Sequence, residues 1–417
     1  MESGFNQIGT GEIPEDWQVA RLGDEKIAKV IMGQSPPSST YNESAEGLPF
    51  LQGNAEFGET YPAPSVYTSN PLKIAEKDDV LVSVRAPVGE VNLSPFRCCI
   101  GRGLSAIRPN PSRLDYRFVF YYLRHAMNRL LTLATGSTFT AVRKEDLASF
   151  WMAIPPLPEQ LKIASILSTV DDAIQKTDEI IAKTQQLKKG LMQQLLTRGI
   201  GHTKFKQTEI GEIPEEWEVL RLDDILLDVR YGTSVRANIE GRGFPVLGIP
   251  NILTGEIDES NLRHVELPES QRKALALGDG DILVVRTNAN PEYVGRSALF
   301  AKRNGLWLFA SYLIRLRSDT ARVVPLYLAK LLQTEAVRKS FLQIARTSAG
   351  NYNINTQGIR SITVSLPPIE EQKQIVSGLS VVDDRMRNER QRKKELGDLK
   401  KGLMQILLTG KVRVEVD

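Results

Sequence analysis

The chain has only two cysteines in 417 residues, and they are neighbours, Cys98 and Cys99. Adjacent cysteines bridge only with strain, so the sequence has no disulfide framework and suits a reducing compartment. Histidine is almost as scarce. His125, His202 and His264 stand far apart with no second ligand at metal spacing, and no metal site is expected. Nowhere do about eighteen apolar residues run together, so no membrane span is expected. The opening MESGFNQIGTGEIPEDW has neither a basic nor an apolar segment, which points to a chain without a leader, in the cytoplasm. An excess of one charge is missing too. The formal net charge is +3, with 15 Lys+Arg against 17 Asp+Glu over residues 1–155 and 21 against 19 over residues 200–365. Segments so nearly neutral cannot grip any duplex by counterion release alone. If nucleic acid is the ligand, contact must be local and selective, or a partner must supply positive charge.

Catalytic signatures are absent as well. No G-x-x-x-x-G-K-[ST] occurs, since Gly190 and residues 199–204 do not fit it, so nucleotide hydrolysis is not expected. Gly101-Arg102-Gly103 is an isolated fragment that reads as a turn rather than a dinucleotide loop. The Asn/Asp-Pro-Pro-aromatic sequence used by amino-methyltransferases is not matched by Ser35-Pro36-Pro37. The reading is therefore a chain without catalytic residues.

What the sequence does have is itself, twice. GEIPEDWQVARLGD at residues 11–24 returns as GEIPEEWEVLRLDD at 211–224, with ten of fourteen positions kept. LKKGLMQQLLT at 187–197 returns as LKKGLMQILLT at 399–409, with ten of eleven kept. Between these blocks the copies have drifted apart. One frame kept twice around different contents suits a molecule that reads two things.

Within each copy, Trp17, Val19 and Leu22, or Trp217, Val219 and Leu222, suit a short half-buried strand. DVLVSVR at 79–85 and DILVVR at 281–286 read as matching buried strands, and helical stretches follow at 115–133 and 325–344. Then come IPPLPEQ at 154–160 and LPPIEEQ at 366–372, where proline and acid favour the first turn of a helix. Apolar residues next fall on one stripe: Ile163, Leu167, Val170, Ile174, Ile181, Leu187, Leu191 and Leu195. The second copy repeats it with Ile375, Leu379, Val382, Met386, Leu396, Leu399, Leu403 and Leu407. Gly199 and Gly410 sit where a helix should stop. Each helix of about forty residues would span roughly 60 Å. A stripe that long cannot be buried within its own small domain, so the two helices are expected to pair antiparallel, related by an approximate two-fold. The fold class is mixed α+β. Its expected divisions are 1–153 and 200–365 for the globular parts, and 154–199 and 366–417 for the helices, the last with a short tail.

The diverged middles place polar loops at corresponding positions. In the first copy the candidate contact residues are Gln34, Ser35, Tyr41, Gln52, Asn54, Arg85, Arg102, Ser137 and Thr138. In the second they are Tyr231, Thr233, Arg236, Asn251, Arg286, Asn288, Asn290, Asn351 and Tyr352. Arginine pairs with guanine O6/N7 and asparagine or glutamine with adenine N6/N7, so such loops suit base readout in DNA, although any one of them could be a solvated turn.

The paired P-P-L-P-E-Q and P-P-I-E-E-Q helix starts, the L-K-K-G-L-M-Q helix ends and the I-P-E-x-W leaders, in this duplicated order over residues 8–412, resemble the specificity (S) subunit of type I restriction-modification systems. The resemblance implies two target-recognition domains, each reading half of a bipartite double-stranded DNA sequence, joined by an antiparallel helical pair. It implies two modification (methyltransferase) subunits that carry S-adenosylmethionine and methylate adenine. It also implies, in complexes that cleave, two restriction subunits that bring ATP and magnesium. No cofactor is expected in this chain. A two-headed adaptor that binds proteins is the alternative, and it would expose apolar anchors in its loops.

Overall fold

The computed structural model describes residues 5–8, 11–133, 141–348 and 350–415. It forms two compact units, Met1–Glu179 with Arg390–Asp417 and Ile180–Glu389. The long helices fall within the stretches 154–199 and 366–417, and the compact units cut across them. Each long helix is shared, so a unit is one globular part plus a stretch of both helices.

In the first unit the leader strand Gln18–Arg21 pairs antiparallel with Trp151–Ile154, the strand that enters the first long helix. Beside it stands a four-stranded antiparallel sheet in the order Val91–Leu93, Val80–Ser83, Leu104–Pro109, Ala28–Met32. The Val80–Ser83 strand is buried on both faces, as its Val80-Leu81-Val82 run requires, and Ser83 satisfies its hydroxyl on Pro87 O. Helix Tyr116–Leu133 packs Phe118 and Phe120 into the core with Ile107, Ile163, Leu167 and Leu407. Cys98 and Cys99 are buried and unbridged, and burial pushes the Cys98 thiol up to about 11.

The second unit repeats the strand order: Ser297–Phe300, Asp281–Val285, Leu313–Ser318, Leu226–Tyr231. Its leader Glu218–Arg221 pairs with Thr363–Leu366. The stretch 325–344 is not one helix. It breaks into Pro325–Leu332 and Glu335–Ile344, with Thr334 extended between them and both its backbone N–H and its hydroxyl donating to the carbonyl of Leu331.

The long helices are Leu157–Arg198 and Ile369–Leu407. Gly199 and Gly410 follow at φ +66° and +70°, the left-handed conformation that ends a helix. Inside the first unit the two run antiparallel, with ion pairs from Asp171 to Lys400 and from Asp178 to Lys393. Inside the second, Lys188 meets Asp383 at 2.6 Å and Glu371 accepts from the backbone of Ile200 at 3.0 Å, again antiparallel.

The seam differs from the apolar stripe in one respect. Ile163, Leu167, Val170, Ile375, Leu379, Met386 and Leu407 are buried, and Ile174, Leu191, Leu195, Val382 and Leu403 are partly buried. Leu187 and Leu399 are not in the seam; they are 55% and 50% exposed. Steps of four and three from Ile163 pass through Thr177, Thr184 and Lys188, and from Ile375 they pass through Lys400. The threonines are buried, each hydroxyl donating to a carbonyl of its own helix. Lys188 and Lys400 lay their alkyl stems along the seam and place their ammonium groups on Asp383 and Asp171. Polar residues thus occupy seam positions that a count of leucines assigns to the wrong neighbours.

The P-P-x-x-E-Q starts have a physical reason. Gln160 is fully buried; its Oε1 accepts from Asp115 N, and its Nε2 donates to Arg113 O and Pro155 O. Gln372 repeats all three bonds with Val324 N, Arg322 O and Pro367 O. The preceding glutamates, Glu159 and Glu371, accept from the indole nitrogens of Trp17 and Trp217 at 3.2 and 3.0 Å. Leader, sheet and helix start are therefore locked together the same way in each unit.

Candidate nucleic-acid interface

In the first unit four chain segments meet at one rim of the sheet. Gly33 N donates to Leu104 O, Gln34 N to Ile100 O, Gly101 N to Leu51 O and Val84 N to Gly103 O, all at 2.8–2.9 Å. Arg102 N donates to Ser35 Oγ at 3.2 Å. Glycine is required at position 33, where a Cβ would lie 2.1 Å from the Gly101 carbonyl. These bonds bring Gln34, Ser35, Gln52, Arg85 and Arg102 to one lip, with Gln34, Gln52, Arg85 and Arg102 exposed. Asn54 stands beside them but donates to Glu90 at 3.0 Å. Tyr41 stacks on Phe50 at 4.8 Å and donates to Pro36 O, so it props the loop from beneath. Ser137 and Thr138 lie outside the described residues.

The second unit builds the same rim from different side chains. Gly232 N donates to Leu313 O, Thr233 N to Phe309 O, Ala310 N to Leu247 O and Arg286 N to Tyr312 O. Ser83 pairs with Leu104 and Val285 with Leu313. In this register the counterpart of Arg286 is Val84, and that of Arg85 is Thr287. The two arginines therefore leave their strands one position apart. The Arg286 guanidinium lies 4.8 Å over the Tyr231 ring, whose hydroxyl accepts from Thr356 N. Tyr231 thus holds Arg286 as a rigid donor.

Some of the expected residues are occupied internally. Asn251 is buried; its side chain accepts from Gly248 N and donates to Asp258 O and Ser260 O. The buried Thr233 accepts from Val235 N, forming a turn. The side-chain oxygens of Asn288 and Asn290 accept from the backbones of Asn290 and Glu292. Arg236 and Asn351 are exposed, and Tyr352 is partly buried against the core.

Sequence reasoning missed a small antiparallel sheet on this rim. Thr287–Asn288 pairs with Asn351–Asn353, which pairs with Arg346–Ser348. Thr287, Asn353 and Arg346 form one cross-strand row, and Asn288, Tyr352 and Thr347 form the next, on the opposite face. RTSAGNYN carries the signal of a hairpin: a glycine between short polar β runs, here Gly350 at φ +78°.

Among the described residues no three His, Cys, Asp or Glu side chains are grouped to hold a metal, and no helix is long and apolar enough to cross a membrane. One locked frame repeated twice, with a rim of exposed polar side chains that differs between copies, defines a duplicated recognition protein. Residues 14–186 and 214–397 each match the family described as the Type I restriction modification DNA specificity domain, and the chain belongs to that family. It is 28% identical over 433 residues to the type I restriction enzyme MjaVIII specificity subunit of Methanocaldococcus jannaschii, covering 99% of this chain and 97% of the relative. The MjaX specificity subunit of the same organism is 50% identical over 193 residues, a match that spans 46% of this chain and 45% of that protein's length. The EcoKI specificity subunit of Escherichia coli is 25% identical, with 88% of this chain and 82% of the relative covered. The fold is shared with the crystal structure of the type I restriction-modification S subunit from M. genitalium, at TM-score 0.59 and 16% identity over 98% of this chain and 99% of that one. A second likeness, at TM-score 0.60 and 18% identity over 96% and 99%, is to a structure addressing complex assembly and conformational transition of the type I R-M system.

Proposed function

We propose that this chain is the DNA-specificity subunit of a type I restriction-modification complex, each unit reading one half of a bipartite duplex target. The observation that carries this reading is the repeated rim. Identical backbone bonds present Gln34, Gln52, Arg85 and Arg102 in one unit, and Arg286, Asn351 and their neighbours in the other. A fixed mount with exchangeable polar donors is what selective contact with base edges requires.

Catalysis is assigned to partners. Two modification subunits carrying S-adenosylmethionine would methylate adenine in each half, and restriction subunits using ATP and magnesium would complete a cleaving complex. They would also supply the positive charge that both halves lack. The complex would work in the cytoplasm, where the DNA is. The adaptor reading has one observation in its favour: Val235 and Ile239 in the second unit are 50% and 80% exposed. Apolar side chains also contact the thymine methyl group, so this loop fits a DNA rim equally well.

The test is to express the chain with its modification subunit in a host lacking such a system and to map methylated adenines by single-molecule sequencing. The expected result is one bipartite motif that vanishes without this chain. Methylation by this chain without a partner would overturn the assignment of catalysis, and a non-bipartite pattern would overturn the assignment of one half per unit.

A further inference from the structure

The small sheet on the second unit's rim has two faces of different chemistry. Tyr352 packs against the hydrophobic core, and Ile354, just past the end of the strand, is buried. Alternation therefore turns the other row, Thr287, Asn353 and Arg346, away from the core. Arg346 is exposed, and among the described residues it makes no ion pair and no side-chain hydrogen bond. Asn353 spends one amide hydrogen on Asn351 O at 3.2 Å and keeps its other groups. The exposed Asn351 follows the same face two positions along. The sheet is anchored at its base, where Ile354 N donates to Arg286 O at 2.8 Å.

We infer that this ribbon enters the major groove and that the Arg346–Asn353–Thr287 row reads neighbouring base pairs of the second half-site, a guanine by Arg346 and an adenine by Asn353. This rests on the DNA-specificity reading above and gives it a named edge. Three conditions of groove readout are met together. The two strands of the hairpin, Arg346–Ser348 and Asn351–Asn353, form a ribbon of the width that the major groove admits, with Thr287 on the third strand beside it. Strands about 4.8 Å apart, against a rise of about 3.4 Å per base pair, keep side chains of adjacent strands within reach of neighbouring base pairs. The guanidinium and the carboxamide are the side chains that make bidentate bonds to guanine and adenine. Thr347 lies in the opposite row and reads nothing.

The test uses the complete complex in a methylation-free host, with R346A, N353A and T347A mapped by single-molecule sequencing. R346A should relax a guanine, and N353A an adenine, in the same half-site. Discrimination should fall about tenfold or more at each letter, as loss of a bidentate pair implies. The other half-site and T347A should keep the parental letters. Parental letters in both R346A and N353A, or relaxation spread over both half-sites, would overturn the inference. A variant that copurifies with the modification subunit but does not methylate is scored by competition with duplexes carrying single-base changes. Equal weakening on every duplex would place the row on phosphate and also overturn it. Failure of the parental complex to give any sequence-specific methylation would instead overturn the underlying reading.

Discussion

Asp383 is the most exacting single residue of the seam. It accepts from Lys188 at 2.6 Å and from Lys330 at 2.5 Å, so a long helix, its partner and the globular part of the second unit converge on one carboxylate. Asp171 plays the same part in the first unit, accepting from Tyr121 at 2.8 Å and from Lys400. Burial alone would push the Asp383 carboxyl up, but the two ammonium groups outweigh it and hold the carboxyl below its ordinary 3.8. A carboxyl lowered by folding stabilises the folded state fully above its unfolded value, and that contribution is lost as pH falls through the lower, folded value. Asp383→Asn should therefore be less stable than the parent at neutral pH, by about 1–3 kcal/mol for charge-assisted bonds at a partly buried site. The difference should close as pH drops below about 4. Urea midpoints of both proteins across this range are the measurement. A gap that held constant into strong acid would show that the charge on Asp383 is not what stabilises the site.

At the scale of elements, the duplicated frame was legible from sequence and its seam only partly so. Periodicity found both long helices, and the prolines and glycines marked their ends, because each of those signals acts over one or two turns. Leu187 and Leu399 were misplaced because hydrophobic counting prefers a leucine to the lysine beside it. Lys188 and Lys400 belong in the seam only because a carboxylate waits across it, and no local pattern reveals a partner on another element. The same reason explains Asn251 and Thr233. Their side chains look available, but backbone groups brought near by the turns claim them. The expected loop residues of each copy that are described lie largely on one rim of its unit, while the row of Arg346 and Asn353 depends on a register that only strand pairing reveals. The seam assignment has a direct test. Leu379→Ala, at a position fully buried, should cost about 2–5 kcal/mol, whereas Leu399→Ala, half exposed, should stay within about 0.5 kcal/mol. Equal losses in chemical denaturation would mean that the leucine stripe, not the threonine and lysine register, forms the seam.

At the scale of the whole molecule, each compact unit borrows from both helices, and the two units do so unequally along the chain. The second is one unbroken segment, 180–389, while the first joins 1–179 to 390–417. A fragment of residues 180–389 should fold cooperatively alone. A fragment of residues 1–179 should not, because Leu407 and Leu408 belong to its core and Arg413 holds Glu159 at 2.8 Å. Adding a peptide of residues 390–417 should restore its order. Amide NMR dispersion of the three samples decides this, and a well-dispersed spectrum from 1–179 alone would contradict it.

That segmented first unit also sets an order of events at the ribosome. Domains generally fold as they emerge, the earliest first. Here the half made earlier must wait, with Ile13 and Trp17 still lacking the segment that packs on them, until residues 407–410 have been made. The half made second is complete before it. During synthesis the early half is thus exposed to proteases and to mispairing for the whole time needed to make its sibling, so the codons for residues 390–413 govern the survival of a half begun long before them.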